Sequence, residues 1–176
     1  NKTGNKGELV FPVVPGAYQL VYNPHVEYTD WDWEIDPVSI RYVMRYMWDH
    51  YRLPLMITEN GFGAHEHKDA EDKVHDQYRI DFLRENIYQL GLAIEDGCDI
   101  IGYNPWSFTD LLSTGNGIEK RYGLVYVDTT DDELNEAQAR GEVPACSRIK
   151  KDSFYWYSNL IKSNGVNWGG EITHGC

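Results

Sequence analysis

The sequence predicts an α/β fold with parallel strands, a portion of a barrel, and three observations predict it. Helix-like and strand-like segments alternate with short connections, in the order helix, strand, helix, strand, helix. Both strand-like segments are nearly continuous apolar runs, as strands covered on both faces must be. Each ends in a polar turn carrying chemically able side chains, and chemistry at strand C-termini favours a barrel over a doubly wound sheet. No GxGxxG follows a strand and no GxxxxGK[ST] occurs, which removes the main support for nucleotide-binding versions.

Residues 1 to 10, rich in Asn, Lys and Gly, read as a loop, and Pro12, Pro15 and Gly16 keep the next stretch irregular. Asp36 can cap a helix with Pro37 at its first position, and Ile40, Val43, Met44, Met47, Trp48 and Tyr51 recur on one face. Pro54 ends that helix. Leu55 to Thr58 is a short β-prone run that stops at the turn Glu59-Asn60-Gly61, a buried strand with a carboxylate at its C-terminal end. Residues 62 to 71 form a polar loop. From about Asp72 to Glu95 a broad apolar stripe predicts a second helix, closed by Gly97. Cys98 to Tyr103 is the second strand, ending near Asn104-Pro105-Trp106. Arg121 to Val127 reads as a small strand, 128 to 147 as an exposed acidic insertion, and Ser147 to Ser163 as a third helix.

With 176 residues the chain can bury a real core and reads as one domain. Its 28 acidic against 16 basic side chains give a formal charge of −12, which repels nucleic acid and anionic membrane and excludes both as expected partners. An anionic substrate would therefore need a local positive patch. No apolar stretch approaches a membrane span. Cys98, Cys146 and Cys176 lie far apart with no CxxC spacing, which suggests neither a zinc site nor a disulfide framework and suits a reducing cytoplasm. The chain starts at Asn1 with no charged, apolar leader, so it is expected to be a cut or processed piece without an export address.

The sharpest chemical feature is Ile57-Thr58-Glu59-Asn60-Gly61. A carboxylate at the end of a buried strand is rigidly held and opens toward the reactive face of a barrel, although such an acid can also merely cap the following turn. The second feature is Trp106-Ser107-Phe108-Thr109-Asp110, followed after a polar loop by Lys120-Arg121-Tyr122-Gly123-Leu124-Val125-Tyr126-Val127-Asp128. His65 and His67 are close in sequence, but no third ligand is evident, and solvated histidines are the expectation; no metal and no cofactor are expected.

In this order and spacing the segments resemble glycoside hydrolase family 1, a family of retaining β-glycosidases. There the nucleophile lies in a T/V-E-N-G segment on strand seven, a W-S segment closes strand eight, and an R-[FY]-G-L-[VI]-Y-V-D run follows. The resemblance extends to Trp31-Asp32-Trp33-Glu34-Ile35-Asp36-Pro37 and to Ser153 to Gly165, leaving out 128 to 147 and the tail. It implies that residues 1–176 are the C-terminal segment of a single (β/α)8 TIM barrel, carrying strands seven and eight with their helices. Glu59 would be the nucleophile, Trp106 the platform under the sugar ring, and Trp33 would lie toward the leaving group. Asn60 and Asp110 would hold strand-end turns.

The loop after Trp106 bears on substrate. Family members taking unmodified sugars have Glu-Trp where this chain has Ser113-Thr114. An acid there would repel a 6-phosphate, whereas Ser113 can donate to it, and Lys120 and Tyr122 resemble the rest of the phosphate site of 6-phospho-β-glycosidases. Thr114 departs from the tryptophan typical of 6-phospho-β-galactosidases and favours the gluco configuration, while the S-x6-K-R-Y spacing looks more like the galactosidases. The expected substrates are thus phosphorylated β-disaccharides or aryl β-glucoside 6-phosphates, releasing glucose 6-phosphate. 6-Phospho-β-galactosidase and plain β-glucosidase activities stand as alternatives.

Retaining hydrolysis needs two carboxyl groups about 5 to 5.5 Å apart. The family's acid/base lies in an N-E-P segment, and this sequence has none. A catalytically inert piece, whose exposed barrel edges invite self-association, is accordingly the alternative of another class.

Overall fold

A computed structural model describes residues 2–3, 17, 22–144 and 146–166; the readings of 4–16, including Pro12, Pro15 and Gly16, and of Cys176 lie outside the described residues. Strands β1 (Lys2–Thr3), β2 (Glu27–Tyr28) and β3 (Glu34–Ile35) form a small antiparallel sheet, so Lys2 and Thr3 are strand rather than loop. Helix α1 spans Pro37–Tyr51, β4 Leu55–Gly61, α2 Gln77–Glu95 and β5 Ile100–Trp106. Strand β6 (Val125–Asp128), α3 (Asp131–Arg140), β7 (Ser147–Lys150) and α4 (Asp152–Lys162) follow among the described residues.

Strands β4 and β5 run parallel, with Leu55 opposite Ile100 and Gly61 opposite Trp106. Helices α1 and α2 cover one face of this pair. Ile40, Met44, Leu90, Ala93 and Cys98 are buried there, with Ile57, Ile100 and Tyr103 packed against them. A second cluster, Ile80, Leu83, Leu124, Trp156 and Leu160, ties α2 to α4. The residues that alternate with the packed ones stay open: Met56 is 50% exposed and Ile101 66%. Cover on both faces, expected from the apolar runs, is therefore present on one face within this chain.

Several boundaries differ from the expectation. Of the α1 stripe, Ile40 and Met44 are buried, while Val43, Met47 and Tyr51 remain exposed. That helix ends at Arg52, in the left-handed region (φ 50°) with its N–H on the Trp48 carbonyl, two residues before Pro54. Helix α2 starts at Gln77 rather than near Asp72, and the Asp76 carboxylate before it accepts from Arg79 Nε (2.9 Å) and from the Ser153 N–H (2.9 Å) at the start of α4. Gly97 (φ 95°) does close α2.

Within Arg121 to Val127 only Val125 onward is strand; Arg121 makes an isolated bridge to Ala64. The segment 128 to 147 is not merely an acidic insertion but holds α3, started by a capping box in which Thr130 and Glu133 exchange side-chain-to-backbone bonds of 3.2 and 2.9 Å. The expected helix from Ser147 divides at Lys151, whose N–H donates to the Leu124 carbonyl (3.0 Å) and whose side chain is buried; 147–150 pairs with β6 instead.

Candidate active site

The C-terminal ends of β4 and β5 are fastened together, and they carry the two residues expected to meet the sugar. The Tyr103 hydroxyl donates to Asn60 Oδ1 (2.7 Å), and Asn104 Nδ2 donates to the Ile57 carbonyl (3.1 Å). Gly61 is obligatory here: a Cβ would lie 1.9 Å from the Trp106 carbonyl oxygen. Glu59, two residues earlier, is solvent-exposed, and Trp106 is at the strand's end opposite Gly61. The Trp106–Ser107 peptide is cis.

Beyond Trp106 the chain folds back on itself. Ser107 N–H donates to the Tyr122 carbonyl (3.1 Å), and Leu124 N–H to the Ser107 carbonyl (3.0 Å). The buried Asp110 accepts from the Gly123 and Val127 N–H groups at 2.8 and 3.2 Å, holding this doubled segment as a brace. Ser113 and Gly117 close a small turn with reciprocal backbone bonds of 2.8 and 3.2 Å, which leaves Thr114 exposed. Ser113 Oγ lies 3.4 Å from the Tyr122 hydroxyl.

Lys120 is 3% exposed. Its ammonium sits 3.6 Å from the Trp33 ring centroid, 5.2 Å from that of Trp31 and 5.4 Å from that of Tyr122. Ring faces attract a cation, but they do not replace the hydrogen bonds it loses on leaving water. Among the described residues it has no hydrogen bond and no carboxylate partner. Tyr122 in turn lies 6.1 Å from Trp33 and 6.5 Å, edge-on, from Trp106.

The structure thus gathers Ser113, Lys120, Tyr122, Trp33 and Trp106 into one patch. Glu59 lies near the C-terminal end of β4, exposed, and Thr114 is exposed in the turn. Trp33, expected toward the leaving group, also covers the Lys120 ammonium. Two contributors were not singled out in the sequence. Trp31 joins the ring cage because Thr29 Oγ1 accepts the N–H groups of both Trp31 (3.3 Å) and Trp33 (3.2 Å), and Asp32 turns through φ 59°; the Trp-x-Trp spacing in a turn was the available signal. Gly63 lies under Lys120, where a Cβ would come within 2.7 Å of Cε. His65 stacks on Trp31 (4.4 Å), His67 is exposed, and among the described residues no group of three or more His, Cys, Asp or Glu could hold a metal ion.

Beneath the patch lies a buried ionic knot. Arg79 donates to Glu66, to Asp76 (2.9 Å), and to the carbonyls of Phe62, Tyr122 (2.9 Å) and Arg121 (3.2 Å). Lys151 bridges Glu66 and Asp110, the latter at 2.9 Å. Burial alone would raise the Glu66 pKa, but the Arg79 and Lys151 cations hold it below the ordinary carboxylate value. Burial lowers the Lys151 pKa, with repulsion from Arg79 acting the same way. This knot couples the exit of β4 at Phe62 to the segment bearing Lys120 and Tyr122.

With that geometry in place, comparison with known proteins is informative. The model of the family described as Glycosyl hydrolase family 1 matches residues 8–166. The aryl-phospho-β-D-glucosidase BglC of Bacillus subtilis is 45% identical over 94% of this chain and 32% of its own length. The 6-phospho-β-glucosidase AscB of Escherichia coli is 42% identical over 81% of this chain and 28% of its own. A 6-phospho-β-galactosidase of Staphylococcus epidermidis is 37% identical over 94% and 33%. Among solved structures, the family 1 β-glucosidase of Thermotoga maritima in complex with isofagomine lactam superposes with a TM-score of 0.71 at 35% identity, over 84% of this chain and 31% of that one. The chain spans about a third of the length of these relatives.

Proposed function

The chain belongs to glycosyl hydrolase family 1, and its likeness to the β-glucosidase structures makes it part of a TIM barrel; on that premise we propose that it serves in retaining hydrolysis of 6-phospho-β-glucosides. Residues 1–176 act in this reading as the C-terminal segment of one catalytic barrel, with β4 and β5 as its strands seven and eight. Glu59 attacks the anomeric carbon, and the acid/base that protonates the leaving oxygen comes from a part of the barrel outside this sequence. Trp106 supports the sugar ring. The 6-phosphate rests on Lys120 with Ser113 and Tyr122, and Trp33 borders the leaving group. Glucose 6-phosphate leaves as product, with no cofactor needed.

The single observation that carries the phosphate reading is Lys120, a residue only 3% exposed whose ammonium is ringed by Trp31, Trp33 and Tyr122, with no counter-anion among the described residues. A cation held among rings with few hydrogen-bond acceptors is incompletely compensated, and a phosphate would supply charge and acceptors. Relatives named for phospho-β-glucosides and phospho-cellobiose support the same substrate kind. The relative named a 6-phospho-β-galactosidase keeps the galacto configuration as the second reading. Hydrolysis of 4-nitrophenyl β-D-glucoside 6-phosphate in preference to the plain and the galacto compounds is the expected result; preference for the plain glucoside would overturn it.

Among the described residues no helix is long and apolar enough to cross a membrane, and a cytoplasmic setting suits a phosphorylated substrate. The chain by itself is expected to self-associate. Ile101 at the edge of β5 opens on an apolar groove lined by Leu90, Gly102, Leu160 and Ile161. Such edges pair. Sedimentation velocity should show mass rising with concentration, and a monomer throughout would dismiss the expectation.

A further inference from the structure

The residues proposed to hold the 6-phosphate come from two places, the turn at Ser113 and the segment 120 to 122, and both are fastened to one short stretch, 127 to 131. Arg121, between Lys120 and Tyr122, donates its guanidinium to the carbonyls of Val127 (2.7 Å) and Thr129 (2.5 Å). Asp131, the first residue of α3, accepts the Ile118 N–H on Oδ1 at 2.8 Å. Gly117, at φ 62°, lies so close to this carboxylate that a Cβ there would be 2.2 Å from Oδ2. Gly117 is also the residue whose backbone closes the turn on Ser113, and Ser113 Oγ meets the Tyr122 hydroxyl at 3.4 Å. An unbroken path therefore runs from Asp131 through Ile118 and Gly117 to Ser113 and Tyr122. The start of α3 is itself fixed by its capping box at Thr130 and by the Lys68–Asp128 ion pair (2.7 Å). A rigidly started helix is a firm anchor for the loop packed against it.

We propose that Asp131 is a positioning residue for the 6-phosphate site: its carboxylate clamps Gly117–Ile118 and thereby sets Ser113 against Tyr122. This rests on the phosphate reading above and adds a role for the segment 128 to 147, which lies outside the motifs that suggested that reading. Asp131 touches no substrate, so its effect must appear as discrimination between phosphorylated and plain sugar rather than as a change in the chemical step.

The test is made in the intact enzyme with Asp131→Ala, Asp131→Asn and, as the control for the reading itself, Lys120→Ala. Each is assayed on 4-nitrophenyl β-D-glucoside with and without the 6-phosphate. Loss of one backbone-to-carboxylate bond is expected to cost D131A about three- to tenfold in kcat/KM for the phosphorylated substrate, through KM, with plain glucoside unchanged. D131N, which keeps an acceptor oxygen, should recover most of that loss. Should D131A lower both substrates equally, or leave the ratio at wild type while K120A destroys it, Asp131 is structural only and the inference falls while the phosphate reading stands. Should K120A leave the ratio unchanged, the reading falls and the inference with it. If D131A does not fold, Asp131→Ser, too short to reach Ile118, takes its place on the same criteria.

Discussion

Among the described residues two lysines are almost wholly removed from water, and their surroundings are opposite. Lys151, 0% exposed, bridges two carboxylates, Glu66 and Asp110, within a knot that also holds Arg79. Lys120, 3% exposed, holds its ammonium among the rings of Trp31, Trp33 and Tyr122, with no carboxylate partner among the described residues. The first arrangement is complete as it stands, so Lys151 is a part of the architecture. The second has no counter-charge among the described residues, and in the proposed reading that partner is the phosphate of the substrate.

Mutations should separate the two along that line. The largest effect lies at neither lysine: Glu59→Gln in the intact enzyme keeps the shape of the proposed nucleophile but not its charge, and kcat should fall by roughly four or more orders of magnitude with binding largely kept. In Glu59→Ala, whose shortened side chain leaves room for it, azide should restore turnover as the inverted glycosyl azide, and near-normal activity of Glu59→Gln would dismiss the role. The 176-residue chain alone should show no turnover above a boiled control.

Lys151→Met leaves two buried carboxylates short of a cation and should cost about 3 kcal/mol of unfolding free energy in urea titrations. Lys120→Met, by contrast, places an apolar chain among apolar rings. It should leave stability within about 1 kcal/mol of wild type, or raise it, while phosphate recognition is lost. Equal destabilisation by both would erase the distinction.

The smallest effect concerns a cation at the surface. A hydrogen bond to Asp152 raises the His75 pKa, with the Asp152 charge and Asp69 assisting. A folded-state value above the unfolded one, about 6.5, means the contribution is fully present below that pH and lost as pH rises through the folded value. With the ring largely in solvent it should be under ~1 kcal/mol. His75→Gln should flatten this part of the stability profile; an unchanged profile would remove the pair from consideration.

The legible parts of the sequence were those where local pattern and final burial agree. Pro37, the α2 stripe and Gly97 marked two helices, and the apolar runs before Glu59 and Trp106 marked the parallel pair. Helix α3 was missed because it has few apolar positions, although Thr130, Glu133 and Gly141 carried its start and stop signals. The break at Lys151 could not be seen locally, since it depends on carboxylates 85 and 41 residues away. The same holds for the candidate site. Ser113, Lys120, Tyr122 and Trp106 lie on one continuous stretch whose motifs name them, whereas Trp31 and Gly63 join only through packing against Lys120.

The most direct measurement of the central claim, that Lys120 awaits the phosphate of the substrate, is the ratio of kcat/KM for 4-nitrophenyl β-D-glucoside 6-phosphate to that for the plain glucoside. In the intact enzyme Lys120→Ala should lower this ratio about ten- to a hundredfold, the worth of one charge-assisted contact, entirely through the phosphorylated substrate. Ser113→Glu, which sets an acid where the phosphate would rest, should lower it further and can raise turnover of the plain sugar. A ratio unchanged in both variants, with both substrates lost in equal proportion, would contradict the claim and leave Lys120 a structural residue in a cage of rings.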